Sequence, residues 1–201
     1  MRLRLLLLTG AVLLLIGCAA VEPARVENGL YIHPAYAFSL RLPAGWECSE
    51  DLPQLVEKGM SFVSRRNFKA TFSNPRKKGF ILVFAEKTTA DWVSFTMNRD
   101  RFMTSLDRYY SKEKSKQSRN KHIHSYRYEL YRDRVEACDG GCVASKIEFQ
   151  AGDIRAIGHN ILYRGPGGML DTVSLILMAR EEHYDALLGP FRSVLNSFEA
   201  L

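Results

Sequence analysis

The chain has 201 residues, with 28 Lys+Arg against 22 Asp+Glu, 46% apolar and 25% charged residues, 14 Gly and 7 Pro. That apolar content excludes an intrinsically disordered chain, and the modest glycine and proline content excludes a collagen-like or low-complexity one. A mean hydropathy of −0.17 excludes a polytopic membrane protein, so the length points to one domain with a segment in front of it.

Residues 1–4 read Met-Arg-Leu-Arg, and Leu5 to Ile16 follow as an almost unbroken apolar run. About 12 residues at 1.5 Å rise cover ~18 Å, too short for a ~30 Å hydrocarbon core but suited to the apolar region of a signal peptide. The run ends in Leu15-Ile16-Gly17-Cys18, which resembles the lipobox of bacterial lipoproteins. The small Gly17 fits a peptidase pocket before the cut, and the thiol of Cys18 is the acceptor for diacylglycerol. The resemblance implies a signal peptide over 1–17 and a mature chain that starts at an acylated Cys18. Each buried CH₂ of a palmitate-like chain stabilises membrane association by about 0.8 kcal/mol, so several chains make a lasting anchor. Ala19 and Ala20 follow in place of the aspartate that retains such proteins at the inner membrane. The resemblance therefore implies an envelope protein, at the periplasmic face of the outer membrane in a Gram-negative host. That compartment argues against a nucleic-acid partner. Residues 18–29 read as the lipidated N-terminus and a tether, and 30–201 as a single domain.

Tyr36 to Leu42 alternates apolar and polar residues, the pattern of a half-buried strand. Pro43-Ala44-Gly45 breaks it. Asp51 and Pro53 are placed to start a short helix ending near Lys58-Gly59. Residues 60–72 form a strand region, and 74–79 a turn whose tip carries Arg76, Lys77 and Lys78. Phe80–Ala85 is continuously apolar, as in a central strand covered on both faces. From Thr88-x-x-Asp91 the residues Trp92, Phe95, Phe102, Leu106 and Tyr109 recur at helical spacing, predicting a helix to about Lys112. Runs of period two follow at about 122–137, 142–150, 153–164 and 169–179, an antiparallel meander. Tyr184, Leu187, Leu188, Phe191, Val194, Leu195 and Phe198 then mark a closing helix, with a kink or two abutting helices expected at Gly189-Pro190. These elements make an α+β domain: a mainly antiparallel sheet flanked by helices on both faces.

With Cys18 assigned to lipid, Cys48, Cys138 and Cys142 remain, so at least one thiol is unpaired within the chain. Cys138 and Cys142 lie across a short glycine-containing turn between two strand-like runs, where facing Cα atoms come within disulfide range. A disulfide is the expectation. A redox-active pair and a metal corner are the alternatives, the latter short of ligands. Cys48 beside Trp46 reads as a small apolar residue.

The run Tyr36-Ala37-Phe38-Ser39-Leu40-Arg41-Leu42-Pro43-Ala44-Gly45-Trp46 and the end Phe191-Arg192-Ser193-Val194-Leu195-Asn196-Ser197-Phe198 resemble the opening and closing segments of the PsbP/DcrB-like superfamily. The order of elements between them is similar too. The resemblance implies an α/β/α sandwich over about 31–201, and a mostly non-enzymatic protein that binds and stabilises partner assemblies. It carries over no catalytic residue and no cofactor.

No catalytic constellation stands out, and no metal site is expected. His122 and His124 share a strand face, but Lys121, Arg119 and Lys116 surround them with positive charge. His159 alternates with Ile157 and Ile161, as a hydrogen-bonded core or rim residue would. A basic stretch contains Lys112, Lys114, Lys116, Arg119 and Lys121. With Arg76, Lys77 and Lys78 it offers contacts to anionic lipid headgroups or to a protein partner, against the plainer alternative of a solvated face. Tyr109, Tyr110, Tyr126, Tyr128 and Tyr131 are interleaved with it and read as partner surface or strand packing. Two functions follow as expectations: a non-catalytic binding module that supports an envelope assembly, or a carrier of a small or lipidic ligand held between sheet and helix. A cleft of several hundred Å³ would favour the carrier.

Overall fold

The computed structural model describes residues 22–53, 65–76, 79–138 and 140–201. Cys18, Lys77, Lys78 and the helix expected over 51–59 beyond Pro53 lie outside the described residues.

The strands are β1 (Arg25–Glu27), β2 (Leu30–His33), β3 (Phe38–Arg41), β4 (Glu47–Ser49), β5 (Phe68–Asn74), β6 (Gly79–Asp91), β7 (Ser125–Leu130), β8 (Gly141–Ala151), β9 (Ile154–Arg164), β10 (Met169–Arg180) and β11 (Glu199–Ala200). Among the described residues the helices are α1 (Trp92–Met97), α2 (Arg99–Gln117), α3 (Arg132–Glu136) and α4 (Glu181–Asn196). Among the described residues the large sheet runs β4-β5-β6-β10-β9-β8-β7, and a small one runs β1-β2-β3-β11. Every pairing is antiparallel. The fold is α+β, with helices on both faces of the large sheet.

Alternation along β6 and β10 explains the layers. Ile81, Val83, Ala85, Val173, Leu175 and Leu177 face one side, where they pack with Tyr31, Phe38 and Leu40 of the small sheet and Leu187, Phe191 and Val194 of α4. Leu82, Phe84, Ile176 and Met178 face the other side and form a second apolar cluster with Ile123 and Phe149. A third cluster on that side joins Trp92 and Phe95 of α1 and Met103 of α2 to Leu162 and Leu170. Over Ile81–Ala85 of β6 and Leu175–Ala179 of β10 both faces are therefore apolar and buried.

Several boundaries differ from the sequence reading. The small sheet begins at Arg25, inside the stretch read as tether, because β1 finds a partner in β2 across the Asn28-Gly29 turn. Tyr36 belongs to a short 3-10 turn, and the strand starts at Phe38. The helix after β6 breaks at Asn98 and resumes as α2, which runs past Lys112 to Gln117. Asp91 caps its start, with Oδ1 accepting from the Ser94 amide at 2.7 Å; Thr88 is still strand. The run 122–137 is a strand only over Ser125–Leu130 and then turns into α3. Finally, α4 continues through Pro190 as one helix. Proline deprives the Ala186 carbonyl of its donor, but Ala186 is exposed, so water is at hand to replace it.

Candidate functional site

The large sheet is not evenly filled on the α1–α2 side. Ser145, Asn160 and Ser174 are cross-strand partners in one row over β8, β9 and β10, and Phe84 continues that row on β6. In the next row Gly158 stands between Ile147 and Ile176. A Cβ on Gly158 would come 2.8 Å from Ile147 Cγ1, so glycine permits this close approach. Larger side chains hold α2 off the sheet at both ends: Trp92, Phe95 and Phe102 near its start, and Ile123 with Phe149 beyond its end. Small residues in the middle and bulky ones at the ends leave a cleft of about 340 Å³.

Its floor is Phe84, Glu86, Asn160, Leu162, Thr172, Ser174 and Ile176, and its roof is Phe102, Leu106, Tyr109, Tyr110 and Glu113 of α2. Tyr126 and Asn67 close the sides. A polar network ties roof to floor. Tyr110 Oη lies 2.9 Å from Ser145 Oγ, and Asn160 Nδ2 donates to Tyr110 Oη and, at 2.9 Å, to Ser145 Oγ. Ser174 Oγ donates to Asn160 Oδ1. Burial pushes the Tyr110 hydroxyl up to about 12, so it stays protonated at neutral pH. On the β7 side Tyr128 Oη donates to Asp107 Oδ1 at 2.9 Å and meets Ser111 Oγ at 2.8 Å. The Tyr110 and Tyr128 rings stack with centroids 5.3 Å apart. The cleft thus pairs apolar walls with a few fixed polar groups, the usual make-up of a small-molecule site.

Its charged lining residues, among those described, are Glu86 on β6 and Glu113 on α2. Glu113 Oε1 accepts from Gln117 Nε2 and has Lys116 Nζ at 3.8 Å. Burial raises the Tyr109 hydroxyl, and the two carboxylates push in the same direction.

Of the residues singled out from sequence, Tyr109, Tyr110 and Tyr126 line the cleft and Tyr128 stacks on Tyr110 beside it; the basic residues, the cysteines and the histidines are not part of its lining. Lys112, Lys114 and Lys116 project from the last turns of α2, and Arg119 and Lys121 from the loop after it, all exposed. Arg76 is exposed in the β5–β6 turn. The row Gly79–Ala179–Arg155–Gln150–Ser125 places that turn and the α2–β7 loop at the same end of the large sheet. Cys138 and Cys142 are joined, with Cα atoms 5.5 Å apart. They do not face each other across a hairpin: the bridge ties the loop after α3 to the start of β8. Arg99 of α2 donates to the Glu136 carbonyl and, at 3.2 Å, to that of Cys138. Cys48 is a half-buried free thiol on β4, pushed up to about 11 chiefly by burial and so poorly reactive.

His122 and His124 are exposed. His159 is not hydrogen-bonded as expected: its buried Nδ1 has no partner, and its ring lies against Tyr131 and Phe191. It faces the α4 side, away from the cleft. Buried Asp171 also faces the α4 side, with neither carboxylate oxygen hydrogen-bonded by a side chain. Burial raises its pKa, opposed by Lys87 and the Thr88 backbone. Among the described residues no group of three or more His, Cys, Asp or Glu is arranged to hold a metal ion, and no helix is long and apolar enough to cross a membrane.

Sequence reasoning missed Asn160, Ser145, Ser174, Glu86 and Glu113. The signal was there: Asn160 and Ser174 are polar residues at inward positions of otherwise apolar strands.

No family model matches the chain, and no curated protein does. Among solved structures it is similar to cyanobacterial PsbP (CyanoP) from Synechocystis sp. PCC 6803, with 13% identity, a TM-score of 0.45, and 92% of this chain and 98% of that one covered. It is also similar to the Ran-binding protein Mog1p of Saccharomyces cerevisiae, with 9% identity, a TM-score of 0.40, and 88% and 96% covered. Both likenesses are of fold.

Proposed function

We propose that this chain is a membrane-anchored, non-catalytic binding protein of the bacterial cell envelope that carries a small ligand in the cleft beneath α2. The observation that carries the binding role is the cleft itself: about 340 Å³ of space between apolar walls, with the Tyr110–Ser145–Asn160–Ser174 network tying its roof to its floor. Burying a ligand's apolar surface there is worth roughly 25 cal/mol per Å² before the cost of immobilising it. The anchor rests on the lipobox at Leu15–Cys18. Six residues separate Cys18 from Arg25, the first residue of β1, and the seven Cα–Cα steps reach about 25 Å at full extension. Such a reach keeps the domain beside the bilayer, at the periplasmic face of the outer membrane in a Gram-negative host. The basic end, with Arg76, Lys112, Lys114, Lys116, Arg119 and Lys121 exposed, is the surface offered to an envelope protein partner or to anionic headgroups.

Two substitutions test the two halves. Thr172→Phe projects a ring into the cleft without removing a described hydrogen bond. The environment-sensitive probe N-phenylnaphthylamine is expected to brighten with the wild type and not with Thr172→Phe, while circular dichroism shows both folded. Equal brightening by both proteins contradicts the assignment of the cleft. Cys18→Ser is expected to abolish incorporation of labelled palmitate, and label retained by that variant contradicts the anchor.

A further inference from the structure

Basic residues outnumber acidic ones in this chain, 28 to 22, for a net charge of +6. The cleft lining has the opposite sign, with Lys116 Nζ standing outside it at 3.8 Å from Glu113 Oε1. Its charged lining residues among those described are both carboxylates, brought together from different layers: Glu86 from the floor strand β6, Glu113 from the roof helix α2. Tyr109 senses both of them. Aromatic side chains supply much of the remaining wall: Phe84, Phe102, Tyr109 and Tyr126. Ring faces carry negative quadrupole charge and attract ammonium groups, most strongly where water is thin. Beyond them lie Leu162 and Ile176, with no charge. A negative, aromatic mouth over the apolar part of the floor at Leu162 and Ile176 complements a ligand with a positive head and an apolar body. The same lining repels fatty acids and phosphate-bearing ligands, whose anionic heads would meet two carboxylates.

Building on the cleft assigned above, we propose that its ligand is an amphipathic organic cation, with its ammonium head between Glu86, Glu113 and the Tyr109 ring and its apolar body on Leu162 and Ile176. Specificity then lies in the two carboxylates, and affinity for the apolar body in the floor. The two contributions are separable by mutation.

The test uses the full chain carrying Cys18→Ser and displacement of N-phenylnaphthylamine by three chemicals of equal chain length: n-octyltrimethylammonium, n-octanol and n-octyl sulfate. The cation is expected to displace the probe at a concentration about tenfold below that of the alcohol, a factor that corresponds to about 1.4 kcal/mol. The sulfate is expected to need more than the alcohol. Raising the salt to about 0.5 M is expected to shrink the preference by screening. The Glu86→Gln, Glu113→Gln double variant is expected to lose most of the preference for the cation and to keep its affinity for n-octanol. Equal displacement by cation and alcohol overturns the proposal while leaving the cleft assignment standing. So does a double variant that keeps the full preference. Failure of the probe to bind the wild type overturns the cleft assignment and this proposal with it.

Discussion

Tyr110→Phe removes one oxygen from the tie between roof and floor, and the hydrogen bonds it makes set the size of the effect. Tyr110 Oη has two partners, Ser145 Oγ at 2.9 Å and Asn160 Nδ2. A hydrogen bond of this kind contributes about 0.5–1.5 kcal/mol net. The two partners keep each other, since Asn160 Nδ2 also donates to Ser145 Oγ at 2.9 Å, so neither is stranded. The expected loss is therefore modest, about 1–2 kcal/mol. Asn160→Leu cuts deeper. It removes the bonds to Tyr110 and Ser145 and leaves Ser174 Oγ without its described acceptor, an expected loss of about 3 kcal/mol. The Tyr110–Asn160 bond is counted in both single variants, so the double variant should fall short of the sum by about 1 kcal/mol. Urea unfolding at neutral pH, compared across the four proteins at unchanged m-value, reads this directly. Losses that add to within about 0.3 kcal/mol would mean that the two residues do not share an interaction, and would refute the roof-to-floor tie.

Other expectations follow from the same packing. A Cβ on Gly79 would collide with Leu187 Cδ1, and Leu187 is fully buried; Gly79→Ala should cost about 1–3 kcal/mol and Leu187→Ala about 2–5, while together they cost less than their sum in urea unfolding because the new methyl occupies part of the vacated space. Burial, aided by nearby Lys and Arg charge, depresses His33 and His159 from 6.5 to about 4. Below pH 6.5 the unfolded chain therefore takes up protons that the native state refuses, and stability should fall as pH drops toward 4; His159→Leu should flatten that slope by up to one proton in unfolding titrations. Asp171 has the reverse sign: its folded pKa is raised, so the native state holds its proton more tightly and stability is lost as pH rises through the raised value. Asp171→Asn should remove this dependence and unfold at higher urea at neutral pH. Replacing both Cys138 and Cys142 by Ser opens a five-residue loop, and thermal unfolding should show a loss of about 2 kcal/mol or less.

The parts of the fold legible in the sequence were those set by one residue's own alternation or spacing. Phe80–Ala85 read as a strand covered on both faces because six consecutive apolar residues leave no side for water. The stripe Tyr184, Leu187, Phe191 and Val194 placed α4. The meander followed from short turns between alternating runs. What failed depended on partners distant in sequence. Residues 25–27 carry little apolar pattern and become a strand only because β2 folds back on them. The stretch after Leu130 alternates as a strand does, yet α3 forms because Val135 and Cys138 gain a buried pocket with Trp92, Phe95 and Leu162. Pro190 promised a kink or a break into two helices, yet the chain stays helical through it. The cleft was hidden for the same reason: Asn160, Ser145 and Ser174 are scattered over 30 positions and meet only through sheet register. The basic stretch, so prominent in sequence, marks an exposed end of the sheet.

A lipid-anchored chain that carries a small molecule under α2 is the central proposal. Native mass spectrometry of the protein lifted gently from envelope membranes tests it most directly, because one spectrum reports both the covalent and the bound mass. The account predicts a chain beginning at an acylated Cys18 with an additional dissociable mass, and loss of that second mass alone in the Thr172→Phe variant. An unmodified leader, or the same adduct on both proteins, would contradict it.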